Sequence, residues 1–284
     1  MAAAESARAG RALRIRELDI GGHRLRVGTR PGVPGATPLL IFNGIGANLE
    51  LLDPFVAALP GVEIIAFDVP GVGGSALPRW PYRLFQLAHL ARRLLGELGH
   101  AGPVDVLGVS WGGALAQQFA RSCPRHCRRL VLAATSAGAA MVPGRLGVIS
   151  KLASPRRYAD PAYLATVGGE IYGGDYRRDA HLLASHSRHI RPPRGRGYFY
   201  QLLATAGWTS IFWLHTLRQE TLVMMGSDDP IVPVVNGRIL ATLIPNARLH
   251  VVDDGHLFLV SRAREVAPLV RAFLAAPARR EAAS

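Results

Sequence analysis

The sequence predicts an α/β fold: a mostly parallel central sheet, helices on both of its faces, and a helical insertion late in the chain. Three observations carry this expectation. A continuous apolar run at 39–42 and further largely apolar stretches at 63–67, 130–134 and 221–226 alternate with stretches of helical periodicity, the pattern of strands covered on both faces. A further β-prone run, 104–107, leads into Gly108-Val109-Ser110-Trp111-Gly112 and then a helix-prone stretch to Ala120, a strand, a tight turn and a helix in succession. The alternation stops between about 137 and 217 and then resumes.

Taken in order, residues 1–12 are Ala- and Arg-rich and are expected to be disordered. The stretches 13–20 and 23–30 alternate apolar and polar residues around Gly21-Gly22, which predicts an antiparallel hairpin at a sheet edge. A Gly/Pro loop at 31–38 precedes the first buried strand, and a helical segment is expected near 51–59. Helical periodicity over 82–98 ends at Gly99. The helix after Ser110 should end before Pro124, which has no N–H to continue it. Segment 138–216 is rich in Arg, Gly, Pro and aromatic residues, with Tyr198, Phe199, Tyr200, Trp208, Phe212 and Trp213 near its end. It reads as a small helical lid whose apolar inner face covers the site, set into a core formed by 13–137 and 217–275. A helix near 234–243, a strand at 248–252 and a helix near 263–274 complete that core, and 276–284 reads as a frayed tail.

The chain of 284 residues has room for one large domain with an inserted subdomain, and its 49% hydrophobic and 19% charged residues allow a substantial core. The net charge of +13 is almost all arginine, Lys151 being the only lysine. The arginines are spread evenly, as in proteins encoded by GC-rich genomes, and no basic helix interleaved with aromatics stands out, so no nucleic-acid partner is expected. An anionic surface, such as a lipid-coated particle, suits that charge. Cys123 and Cys127, with Pro124 between them, form neither a metal motif nor a disulfide framework and read as reduced structural thiols. The N-terminus lacks the apolar core of a secretory signal, and no apolar run is long enough to span a membrane, so a cytoplasmic location is expected.

The chemistry centres on Ser110. In G-x-S-x-G the serine sits on a sharp turn with strained backbone angles, and side chains at 108 or 112 would clash there. A serine hydroxyl needs a base and an oxyanion site to react at neutral pH. Of the ten histidines, His256 alone follows a late strand, in Asp253-Asp254-Gly255-His256, and Gly255 frees that loop to turn the imidazole toward Ser110. The orienting carboxylate should follow the strand 222–225, where order alone leaves both Asp228 and Asp229. The usual spacing G-x-x-D-x-x-x-P, met by Gly226 and Pro233, selects Asp229 and leaves Asp228 solvated or bonded to the turn. Asp253 and Asp254 lie too near His256 in sequence to be the first choice. The oxyanion donors are expected to be the backbone N–H groups of Trp111 and of Ile45, the latter in the Gly44-Ile45-Gly46 loop that Asn43 braces. The loop Gly71-Val72-Gly73-Gly74-Ser75 lacks both the P-loop ending and the dinucleotide spacing, and no His/Cys/carboxylate set has ligand spacing; no cofactor and no metal are expected.

Several runs together resemble the α/β-hydrolase fold family over nearly the whole chain: residues 40–50, 67–75, 108–120 and 253–259. Within that family the sequence is most similar to intracellular poly(3-hydroxyalkanoate) depolymerases of the medium-chain-length type, a likeness that 153–158 and 207–211 of the lid share. The resemblance implies a Ser110, Asp229, His256 triad and a polyester of 3-hydroxy acids held in cytoplasmic granules, whose surface is then a further partner. A small-molecule esterase, lipase or carbon–carbon bond hydrolase of the same fold is the competing reading. A non-enzymatic binding protein would have no reason to keep all three residues.

Overall fold

The computed structural model describes residues 12–277. The expectations for 1–11 and 278–284 lie outside the described residues. Strands β1 (Arg14–Ile20) and β2 (His23–Arg30) form an antiparallel hairpin, with Gly21 and Gly22 both at positive φ in the turn. Strand β3 (Leu39–Phe42) follows, then a single-turn segment and α1 (Asp53–Ala57), β4 (Ile64–Phe67), α2 (Leu84–Glu97), β5 (Val104–Val109), α3 (Trp111–Ser122) and β6 (Cys127–Ala133). Six helices lie between β6 and the next strand: α4 (Leu146–Leu152), α5 (Arg156–Ala159), α6 (Pro161–Tyr172), α7 (Gly174–Arg178), α8 (Ala180–Ser187) and α9 (Gly197–Thr205). Then come β7 (Glu220–Gly226), α10 (Val234–Leu243), β8 (Ala247–Val252), α11 (Phe258–Ser261) and α12 (Ala263–Ala275).

The eight strands form one sheet in the order β1-β2-β4-β3-β5-β6-β7-β8. All pairs from β4 to β8 are parallel; β1 and β2 are added antiparallel at one edge. The period-2 alternation of strand side chains splits the core into two layers. Leu40, Phe42, Val106, Leu130, Leu132, Val223 and Met225 face α2, α3 and α10 on one side. Leu39, Ile41, Leu107, Val131, Ala133, Leu222 and Met224 face α1, α11 and α12 on the other. This two-sided burial explains why the parallel strands read as continuous apolar runs. A third, smaller cluster of Val148, Leu164, Ile171, Tyr172, Tyr176 and Leu183 holds α4, α6, α7 and α8 together.

Chain direction reverses around β3: the chain passes from β3 outward to β4, then returns to place β5 on the other side of β3. At such a switch point the loops beyond the carboxyl ends of the two strands separate and leave a crevice. The Asn43–Gly46 loop after β3 and Ser110 after β5 flank it.

Candidate active site

Ser110 occupies φ 54°, ψ −118°, a conformation side chains rarely adopt, immediately before the first residue of α3. Its surroundings explain the glycines. A Cβ on Gly108 would overlap the Gly112 carbonyl and Ala116, and one on Gly112 would overlap the carbonyls of Phe42 and Asn43. Thr135 Oγ1 donates to the Ser110 carbonyl at 2.7 Å, and Ser110 N–H donates to the Ala133 carbonyl at 2.8 Å, so the strained turn is tied to β6 and the loop beyond it.

Ser110 Oγ lies 2.9 Å from His256 Nε2, and His256 Nδ1 lies 2.7 Å from Asp229 Oδ2. Asp229 and His256 are buried, while Ser110 is half-buried. The second oxygen of Asp229 accepts the N–H groups of Ile231 and Val232 at 2.8 and 2.9 Å, which fixes the carboxylate plane. The imidazole is held from its backbone as well, since His256 N–H donates to the Tyr172 carbonyl at 2.7 Å. With Nδ1–H given to a carboxylate, Nε2 is left as acceptor for the serine proton, the arrangement that a general base requires.

Asp228 has a different place. Its Oδ2 accepts Gly174 N–H at 2.9 Å and Arg177 Nη1 at 2.7 Å. Burial pushes the carboxyl up, but these donors outweigh it and hold it below its ordinary value. The sequence reading left Asp228 solvated or bonded to its own turn; instead it anchors α7 of the inserted segment. Asp254 does similar work: Oδ1 accepts Gly255 N–H and Asp175 N–H, both at 2.7 Å, and Oδ2 accepts from Ser261 Oγ.

Across the crevice, Gly44 lies against Ser110, where a Cβ would stand 3.7 Å from that of the serine. Asn43 braces the loop from both sides: Nδ2 donates to the Asn48 carbonyl and Oδ1 accepts Gly44 N–H, each at 2.9 Å. Two inserted-segment residues that the sequence reading did not single out complete the brace. Tyr158 Oη donates to the Ile45 carbonyl at 2.6 Å, and Gln201 Oε1 accepts Gly46 N–H at 2.7 Å. The Gln201 carbonyl also accepts Trp111 Nε1–H at 2.9 Å. The N–H of Trp111 is the first of α3, where no earlier helical turn supplies an acceptor, and the positive end of the helix faces the same space.

Ser110 and His256 open on a cavity of about 70 Å³. Its wall is apolar over Leu51, Leu52, Phe55, Leu257 and Leu259, and the inserted segment adds Leu152, Arg157, Tyr158, Tyr172 and His186. None of the late aromatic residues between 198 and 213 lines it. Trp208 and Trp213 pack edge-to-face on each other and against the sheet core, and Trp208 Nε1 donates to Gln118 of α3 at 2.8 Å. These tryptophans fasten the segment to the core, because indole N–H and ring faces are both satisfied there. Burial pushes the His186 imidazole down to about 4, so it is neutral at neutral pH.

A crevice at the switch point of a parallel sheet, with a serine on a strained strand–helix turn, defines a class of protein before any comparison is made. The family model for the alpha/beta hydrolase fold matches residues 37–263, and the chain belongs to that family. Among curated proteins it is 55% identical over 261 residues to a poly(3-hydroxyalkanoate) depolymerase of Ectopseudomonas oleovorans, covering 92% of each chain. It is 33% identical to a 2-hydroxymuconate semialdehyde hydrolase of Pseudomonas putida, over 75% of this chain and 77% of that one. Among solved structures, the enol-lactonase of Burkholderia xenovorans LB400 superposes with a TM-score of 0.79 at 23% identity, over 91% of this chain and 99% of that one, a likeness of fold.

Proposed function

We propose that this chain is a serine hydrolase that cleaves the ester bonds of a stored poly(3-hydroxyalkanoate). The observation that carries the chemistry is the hydrogen-bonded series Ser110, His256, Asp229 at the mouth of an apolar cavity. The similarity to the depolymerase supports the substrate. One ester carbonyl of the polymer enters with its oxygen toward the N–H groups of Trp111 and Ile45. Ser110 Oγ attacks as His256 Nε2 takes its proton, and Asp229 stabilises the imidazolium. The tetrahedral intermediate collapses, the C–O bond breaks, and His256 protonates the departing 3-hydroxyl. Water, activated in turn by His256, releases the acyl group from the serine.

Residues 138–216 act as the lid of this site. A cavity of about 70 Å³ is less than half of the ~150 Å³ that holds a benzene ring, so a polyester unit with an alkyl side chain enters only when α4 to α8 move outward. Each methylene buried in the opened pocket gains about 0.8 kcal/mol, so two more carbons favour a medium-chain polymer over polyhydroxybutyrate by roughly tenfold. The protein works in the cytoplasm at the granule surface. Leu77, Trp80 and Phe85 are exposed in one groove, and Phe199 and Leu203 are exposed one turn apart on α9. Arg83 Nη1 bonds the Leu203 carbonyl at 2.9 Å and Tyr82 packs on Tyr200, so the two apolar groups adjoin and offer a face to a hydrophobic particle.

The test is release of 3-hydroxy acids by purified protein from amorphous polyhydroxyoctanoate and polyhydroxybutyrate side by side. Faster release from polyhydroxyoctanoate is expected. Release from neither, with rapid turnover of a p-nitrophenyl ester, would establish a small-molecule esterase instead.

A further inference from the structure

Arg157 brings a permanent positive charge to the wall of the cavity that Ser110 opens on. Its side chain is 3% exposed, and no carboxylate pairs with it among the described residues. Its partners are tyrosines: Nη1 donates to Tyr198 Oη at 3.0 Å and Nη2 to Tyr158 Oη at 3.4 Å, and its Cζ stands 4.5 and 5.6 Å from the ring centres of Tyr158 and Tyr198. Nε–H has no acceptor. The other interior arginines differ. Arg26 is paired with Glu50 and Asp68, Arg129 with Glu220 and two carbonyls, and Arg30 donates to the carbonyls of Val56, Leu59 and Val62. A guanidinium does not lose its proton inside a protein, and a buried charge without a counter-charge is costly. A methionine or leucine would fill the same space without that cost. The tyrosines offset part of that cost but bring no negative charge, so the site suits an anion that arrives with the substrate.

We propose that Arg157 binds the free carboxylate at the end of a 3-hydroxy acid chain and so sets the last ester linkage over Ser110. This rests on the reading of the protein as a polyester hydrolase. In such a chain the terminal carboxylate carbon stands four bonds from the carbonyl carbon of the last ester, about 5 Å when extended. Ser110 and Arg157 line the same cavity, so one short chain end can meet both. Attack by Ser110 breaks the bond between that carbonyl and the 3-oxygen. The 3-oxygen takes its proton from His256, and the monomer leaves with its carboxylate still on Arg157. Hydrolysis of the acyl-enzyme then gives the shortened chain a new carboxylate end, which returns to the same residue. Monomers are thereby removed one at a time from the acid end.

The experiment compares two soluble dimers of 3-hydroxyoctanoate, one with its terminal carboxylate free and one with that carboxylate as a methyl ester. Cleavage of the inner linkage is followed in each. Wild-type protein is expected to favour the free acid about tenfold or more in kcat/KM, mostly through KM, because a charge-assisted bond is made to only one of them. Arg157→Met should bring the two within about twofold by raising KM for the acid, while Arg157→Lys, which keeps the charge, should retain a preference. Equal cleavage of both dimers by the wild type would overturn the proposal whether or not any variant folds. So would an equal loss on both dimers in Arg157→Met, the mark of a purely structural arginine. Cleavage of neither dimer would overturn the functional reading itself.

Discussion

A serine hydroxyl is a poor nucleophile at neutral pH, and here each neighbour alters it by one identifiable contact. Ser110→Ala is expected to leave a folded protein with kcat on a soluble ester lowered by roughly 10³-fold or more. Asp229→Asn removes the acceptor of His256 Nδ1–H and admits the wrong tautomer, with a loss of about 10⁴. Asp228→Asn loosens only the contact with Gly174 and Arg177 and should cost less than tenfold. A larger loss for Asp228→Asn than for Asp229→Asn would reverse the assignment of the acid. At this scale chain order pointed to Ser110 and His256, and the G-x-x-D-x-x-x-P spacing was needed to prefer Asp229 to Asp228. Ser110, Asp229 and His256 each follow a parallel strand, and strand ends converge on one edge of the sheet. Arg157, Tyr158 and Gln201 were not legible. Tyr158 meets Ile45 across 113 positions and Gln201 meets Gly46 across 155, and no local pattern records such pairings.

Elements carry their own consequences. The Asn43–Gly46 loop after β3 has no regular structure, and its position depends on α5 and α9 through Tyr158 and Gln201. Tyr158→Phe keeps the ring but frees the Ile45 carbonyl; kcat should fall about tenfold, with KM nearly unchanged and a stability loss of about 1 kcal/mol. A fall confined to KM would place the tyrosine in substrate binding instead. Helix α8 contributes a pH response. Unfolded, His186 takes its proton near 6.5; folded, burial among Tyr172 and Tyr176, with the nearby His189, holds it down to about 4. Between those values the unfolded chain binds more protons, so this contribution is full above pH 6.5 and is lost as the pH falls toward 4. The loss is roughly 3 kcal/mol. His186→Phe should flatten the urea midpoint between pH 6.5 and 4.5; an unchanged slope would clear His186 of the effect. The sheet was readable because two-sided burial writes itself as an apolar run. The short inserted helices were less so: α5 and α7 have too few turns to show periodicity and are held by contacts such as that between Asp228 and Gly174 N–H.

On the scale of the whole molecule, the charge of +13 has two parts. One is internal: Arg26, Arg30, Arg129 and Arg157 are buried and tie loops, strand ends and the cavity wall together. Composition counted them with the surface, which is why the sequence could not say where the charge acts. Among the described residues most of the other arginines are exposed, and they accompany the apolar face built from two distant stretches, 77–85 and 199–203. Trp80 is 71% exposed with Arg79 5.6 Å from its ring centre, so an apolar ring and a cation are presented side by side. An amorphous polyester particle supplies apolar contact for Trp80, Phe85, Phe199 and Leu203, and any anionic coat on it attracts the arginines. Neither Trp80 nor Phe199 lines the cavity at Ser110. With Trp80→Ala and Phe199→Ser combined, turnover of a short soluble ester should therefore stay within about twofold, while the share of protein that sediments with polyhydroxyoctanoate granules should drop several-fold. Raising the salt should weaken adsorption of wild type and variant alike, since only the charged part is screened. Sedimentation of the double variant at the wild-type level would mean that this face does not meet the particle, and the exposed Leu146 and Phe212 of the inserted segment would become the residues to alter next.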